Sequence, residues 1–215
     1  MLQNMAREVV IDAKNPEHPW DIKALDWPLT KDSVVVEVGG FKGRWALQMA
    51  LRYSPKLHVF EPQRWAARVC EIVLGDMATV YPVALGITTA NGYMIKWQTD
   101  GCSFIGVPPG ASIVADPGPD GACVGIGEMV EISDKFNELG LVTIDVMLMN
   151  IEGYEYTLIP YMLSKGIKPK VLMVQFHMFA DPLGTALVDV YDKLEQAGYV
   201  TEWDYGVVLQ AFRRE

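Results

Sequence analysis

No apolar stretch in these 215 residues approaches the roughly 20 needed to span a bilayer, so no transmembrane helix is expected. The start, MLQNMAREVVIDAKNPEHPW, lacks the apolar core of a secretory signal. A soluble cytoplasmic protein with no membrane partner is therefore expected. Cysteine is scarce. Cys70, Cys102 and Cys123 are odd in number, widely spaced and form no C-x-x-C pair, which argues against a disulfide framework or a zinc site. Basic clusters are missing too. The net charge is −9, with scattered Lys and Arg and a short Arg213-Arg214 tail, so the footprint for long nucleic acid is lacking. A small neutral or cationic acceptor suits that balance better, and a homo-oligomer is compatible with it. No internal repeat is present. What is there is a chain 50% hydrophobic, enough for a core, with a length typical of one α/β domain and modest additions.

The densest information lies between Val34 and Pro62, VVVEVGGFKGRWALQMALRYSPKLHVFEP. An apolar run, Ser33 to Val38, carries Glu37 near its end, and glycines follow at 39, 40 and 43. A helical pattern runs from about Arg44 to Tyr53, and a second apolar run, Leu57 to Phe60, ends in Glu61. Strand, glycine turn, helix, strand, acid is the order of a nucleotide-type cofactor site in a doubly wound α/β fold. The turn narrows the cofactor. A dinucleotide turn needs glycine where backbone approaches the pyrophosphate, and Phe41 occupies that place. A P-loop needs Lys and Ser or Thr after its last glycine, whereas Arg44 and Trp45 follow Gly43. Glu37 repels phosphate and suits a ligand with a positive amino group. S-adenosylmethionine has an ammonium, a sulfonium, a ribose and no phosphate. It fits better than NAD or ATP, with Glu61 accepting from the ribose hydroxyls. A NAD(P)-dependent oxidoreductase is the disfavoured alternative.

Residues 1–32 are expected to form an N-terminal arm, irregular because Pro16, Pro19 and Pro28 break any long helix, with Trp20 and Trp27 packing it onto the body. Residues 33–215 are expected to be a single domain. A helix follows Pro62 and stops at Gly75, and Ala78 to Leu85 makes a third strand. Residues 86–127 are rich in Gly and Pro, with Tyr93 to Trp97 as a hairpin strand; so long a connection is either a solvated insert or an acceptor-side loop. Regular structure resumes at Met129, with a helix from Ser133 to Leu139 capped by Ser133. Val142 to Asn150 and Lys170 to Phe176 are apolar enough for parallel strands buried on both faces, and a helix from about Gly153 to Ser164 separates them. Leu183 to Ala197 is an amphipathic helix, and Tyr199 to Trp203 with Val207 to Phe212 forms a closing β-hairpin. This alternation gives a mostly parallel sheet with an antiparallel last strand.

Two blocks carry a family resemblance. EVGGFKGRW with HVFEP is similar to the S-adenosylmethionine-binding region of class I methyltransferases. IDVMLMNIEGYEYTLI, Ile144 to Ile159, resembles the I-D-x-x-K-I-D-x-E-G-x-E signature of the FkbM-type family, and VLMVQFHMF, Val171 to Phe179, resembles the strand that follows there. The resemblance implies a three-layer, Rossmann-like class I methyltransferase sheet in the order 3-2-1-4-5-7-6 with strand 7 antiparallel. It also implies transfer of a methyl group from S-adenosylmethionine, most often to a hydroxyl of a sugar or natural product. Glu37, Gly39 and Gly43 match the methionine-side turn, with Gly40 and Phe41 inside it. Glu61, followed by Pro62, matches the ribose acid, and Ala84 lies at the adenine edge. Asn150, Glu152, Gly153 and Glu155 fall on the signature, beside the methyl group. Leu148, Asn150 and Gln175 stand where the family usually has lysine, aspartate and glutamate. An amide cannot serve as a base, though it orients an acceptor. A cofactor-binding protein without transfer activity is the alternative these changes suggest.

Methyl transfer asks the protein mainly to align acceptor and methyl, and a hydroxyl acceptor gains from a base. His177 and Glu152, at the carboxyl ends of two neighbouring strands, are the catalytic candidates, with Asn150 beside them. Glu155 is expected to be structural. Asp145, Asn150, Glu152 and His177 carry metal-capable atoms, but their spacing matches no known site and no metal is expected.

Overall fold

The apolar runs at 146–149 and 171–174 are buried at every residue, which a strand achieves only when both faces of its sheet are covered. The computed structural model describes residues 2–13, 23–96, 102–106, 123–206 and 209–214. Its strands are β1 (Val34–Val38), β2 (Lys56–Phe60), β3 (Thr79–Tyr81), β4 (Ala84–Gly86), β5 (Ala90–Lys96), β6 (Cys102–Gly106), β7 (Cys123–Glu131), β8 (Val146–Met149), β9 (Val171–Val174), β10 (Tyr199–Asp204) and β11 (Gln210–Arg214). The helices are α1 (Leu2–Ala13), α2 (Arg44–Tyr53), α3 (Arg64–Leu74), α4 (Ile132–Leu139), α5 (Glu155–Ser164) and α6 (Thr185–Gln196).

Seven strands form one sheet in the order β10-β11-β9-β8-β1-β2-β3. β1 pairs in parallel with β2 and β8, β2 with β3, and β8 with β9, while β11 runs antiparallel to β9 and β10. Counted within this sheet alone, the order is 3-2-1-4-5-7-6. Successive side chains point to opposite faces. Val35, Leu148, Met173 and Ala211 therefore join one core with Val9 of α1, Leu47 of α2 and Val69 of α3. Val36, Met147, Leu172 and Phe212 join the other with Phe136 of α4, Leu158 of α5 and Val190 of α6. Helices cover both faces, giving three layers. Among the described residues no helix is long and apolar enough to cross a membrane.

The structure departs from the sequence expectation in four places. The start is not irregular: α1 is a 12-residue helix whose Ala6 and Val9 are buried against α2 and α3, because the prolines fall beyond its end. Trp27 is buried and stacks on Trp203 at 6.4 Å. Ala78 to Leu85 is not one strand. Pro82 offers no N–H to a ladder, the Val83 N–H turns back to the Tyr81 carbonyl at 2.9 Å, and β4 begins a second sheet, β4-β7-β5-β6. The cap of α4 is Glu131, whose carboxylate accepts from the Asp134 N–H at 2.7 Å and the Ser133 hydroxyl at 2.6 Å. Finally, α5 starts at Glu155 because Glu152 (φ +52°) and Gly153 (φ +99°) are left-handed and cannot be helical. Trp20, Trp97 and Val207 lie outside the described residues.

Candidate active site

The glycine turn is built against the ends of β2 and β8. The N–H groups of Gly39 and Gly40 donate to the Phe60 carbonyl at 2.9 and 3.2 Å. Gly39 has φ +85°, and a Cβ there would lie 1.9 Å from the Asn150 carbonyl oxygen, so only glycine lets the turn press on β8. Phe41 is left-handed at φ +46°, a conformation that costs about 1–2 kcal/mol in a residue with a Cβ. Three neighbours hold it there. Its N–H donates to Glu61 at 2.7 Å, its carbonyl accepts from the Cys70 thiol at 2.8 Å, and its ring packs edge-on to Trp65 at 5.4 Å.

Two cavities open on either side of this turn. One, of about 170 Å³, is lined by Glu61, Pro62 and Gln63, by Ala84, Leu85 and Met129 across from them, and by Glu152 and Tyr154. The other, of about 310 Å³, is lined by Glu37, Gly40, Lys42, Arg44, Trp45, Gln48, Leu148 and Gln175, with Val9 and Ala24 from the N-terminal segment. Gly39, Phe41 and Asn150 line both. Of the sequence-expected cofactor residues, Gly43 lines neither cavity and instead caps the start of α2.

Both acids of the turn are buried. Glu61 accepts from the Gln63 N–H as well as from Phe41, each at 2.7 Å; burial nonetheless pushes its carboxyl up to about 7. Burial first, then the charge of Glu61, hold the Glu37 carboxyl well above the ordinary range, against the N–H of Ala46.

His177 and Glu152 meet beyond the ends of β9 and β8. His177 Nε2 stands 3.6 Å from the Glu152 carboxylate. Its other side is held by Glu155, whose Oε1 accepts from the His177 N–H at 2.7 Å and pairs with Nδ1 at 3.1 Å. Burial alone would lower the imidazole, but the hydrogen bond and charge of Glu155, then the charge of Glu152, outweigh it and raise its pKa. His177 lines neither cavity, whereas Glu152 lines the first.

Compared with known proteins, the chain matches the methyltransferase FkbM domain over residues 37–201, more than half its length. The chain belongs to the FkbM methyltransferase family. A crystal structure of a Klebsiella pneumoniae protein assigned as an O-methyltransferase is similar at 11% identity and TM-score 0.52, covering 100% of this chain and 90% of that one. A ribosomal protein L11 methylase from Lactobacillus delbrueckii subsp. bulgaricus follows at 10% identity and TM-score 0.48, covering 91% and 77%. An rRNA methylase from Streptococcus thermophilus has 11% identity and TM-score 0.49, covering 93% and 98%. At 11% identity the likeness to the Klebsiella pneumoniae structure speaks for the Rossmann-like methyltransferase fold alone. No curated protein matches the chain.

FkbM membership favours methyl transfer over nicotinamide chemistry and implies S-adenosylmethionine. The residues of this FkbM chain fit that group. Glu37 Oε2 is a buried acceptor with no hydrogen-bond partner among the described residues, and an ammonium is a donor that would satisfy it; Asn150 Oδ1 is likewise buried without a partner, at the junction of the two cavities. Sequence reasoning missed several walls of the cavities. Gln48 had a signal, a polar residue on the otherwise apolar face of α2, where it is buried. Met129 had none, because the pairing of β4 with β7 brings it beside Ala84.

Proposed function

We propose that this protein transfers the methyl group of S-adenosylmethionine to a hydroxyl oxygen of a small molecule. The observation that supports the reading best is the junction at Asn150, where an acid-and-apolar cavity adjoins a cavity that sets three amides, Gln48, Asn150 and Gln175, beside Glu37, Lys42 and Arg44. Glu61 with Pro62 and Ala84 would hold the adenosine, with Gly39 and Phe41 beneath it, and Glu37 and Gly40 would face the amino-acid end. When bound, the cofactor supplies an electrophilic methyl group on a good leaving group. The amides Gln48, Asn150 and Gln175 suit a hydroxylated acceptor, which Asn150 Oδ1 would orient by accepting its O–H. Glu152 lines the first cavity and stands 3.6 Å from His177, so the pair offers the hydroxyl proton a way out, with neutral His177 as the base.

Calorimetry should show that the protein binds S-adenosylmethionine and that Glu61→Ala abolishes binding. With methyl-tritiated cofactor and a panel of methyl glycosides and phenols, label should appear on oxygen, mapped by mass spectrometry. Label on nitrogen or carbon would overturn oxygen transfer. Tight binding with no product across the panel would favour the binding-only alternative.

A further inference from the structure

We propose that Glu155 is a positioning residue that fixes the tautomer of His177, so that neutral His177 keeps its proton on Nδ1 and turns a bare Nε2 toward Glu152. The proposal rests on the reading of His177 as the base. Glu155 has no exposed surface, yet its carboxylate reaches across two strand ends. Oε2 accepts from the Gly153 N–H at 2.9 Å, while Oε1 accepts from the His177 backbone N–H at 2.7 Å and faces Nδ1 at 3.1 Å. A carboxylate oxygen cannot donate, so the hydrogen of that last contact belongs to Nδ1. Nε2 is then the acceptor in the neutral ring, which is what a base requires.

The same carboxylate joins the segments that follow β8 and β9. Gly153 is left-handed, and a Cβ on it would lie 2.6 Å from the Cβ of Ala180, so the Glu152–Gly153 turn is seated tightly against the turn after His177. Glu155, the first residue of α5, and Glu152, from the connection before it, are the charged groups that face the imidazole, and the Phe179 ring lies beside it at 5.5 Å. Their roles differ: Glu155 binds the ring, whereas Glu152 at 3.6 Å lies beyond hydrogen-bond range and acts on it through charge.

The test is the long-range proton–nitrogen spectrum of the histidine rings in ¹⁵N-labelled protein, titrated with acid and base. At high pH His177 of the wild type should be in the Nδ1–H form; a dominant Nε2–H form would overturn the proposal without any variant. Glu155→Gln should shift the tautomer ratio about tenfold toward Nε2–H, the size of one lost charge-assisted hydrogen bond, and lower the titration midpoint. Glu152→Gln should lower the midpoint and leave Nδ1–H the dominant form, since the charge it removes lies on the Nε2 side. Glu155→Asp serves if the glutamine variant fails to fold, and an unchanged ratio in a folded variant would sink the idea. These spectra need no acceptor. Absent cofactor binding defeats the proposed function but leaves the tautomer result standing, and a wrong tautomer in an active enzyme defeats this proposal alone.

Discussion

Replacing Glu61 by glutamine should change how the stability of this protein depends on pH more than it changes the stability itself. Glu61 is 3% exposed, and burial raises its pKa from 4.5 to about 7. An acid shifted upward by folding favours the native state fully below its unfolded pKa, and that contribution is lost as pH rises through the folded value. The shift corresponds to about 3 kcal/mol, lost between about pH 4.5 and somewhat above pH 7. Glutamine cannot ionise, so this loss disappears. Glu37 is raised partly by the charge of Glu61, and relieving it adds to the effect with the same sign. Against this, an amide offers one oxygen where the carboxylate serves the N–H groups of both Phe41 and Gln63. Leaving one donor unsatisfied costs about 1–3 kcal/mol at every pH. Glu61→Gln should therefore be the less stable protein near pH 5, and the difference should move by about 3 kcal/mol in its favour by about pH 8.5. Urea unfolding of both proteins across that range measures the difference directly. Curves that stay parallel would refute the claim that ionised Glu61 is destabilised by its burial.

Three further outcomes follow from the same geometry. Gly39→Ala should fail to hold the native fold, because its Cβ would meet the Asn150 carbonyl at 1.9 Å in a left-handed turn; a variant with an unchanged thermal melt would contradict the structure. Tyr199→Phe removes the buried hydrogen bond from the Tyr199 hydroxyl to the Pro169 carbonyl at 2.5 Å, and should cost about 1–2 kcal/mol in urea unfolding. Binding of S-adenosylmethionine near neutral pH should release protons, since a cation near Glu37 favours its ionised form. Calorimetry in buffers of differing ionisation enthalpy reads this, and proton uptake would count against Glu37 facing the ammonium.

The centre of the fold was legible because its signals are local. The runs around β8 and β9 carry a continuous apolar code that only a twice-covered strand satisfies, and Glu37, the glycines and Glu61 lie within one strand–turn–strand unit. Signals failed where the deciding partner is distant in sequence. Pro82 marks a break in the strand, but where the chain goes next is not written beside it, since the strand that receives β4 is more than 35 residues away. The apolar positions of α1 were outvoted by prolines that follow it. Glu155 reads in the sequence as a structural acid, and only the meeting of the β8 and β9 ends shows what it grips. Gly43 matches a motif position, and the structure shows what the sequence does not: it caps α2 in a left-handed conformation and sits against Cys70 of α3.

The parallel pairing of β4 with β7 has a consequence for how this chain can be altered. Ala84 faces Met129 and Gly86 faces Glu131, so the chain ends β4 beside the strand, β7, by which it comes back to the main domain. A segment with its ends already side by side tolerates changes in length cheaply, at roughly 0.6 kcal/mol for each doubling. Positions 86 and 129 are thus natural graft points. An excursion taken from a relative can be exchanged here, provided that it supplies the 123–128 part of β7 and a strand in the place of β5 beside it, while Leu85 and Met129 keep their places in the wall of the first cavity.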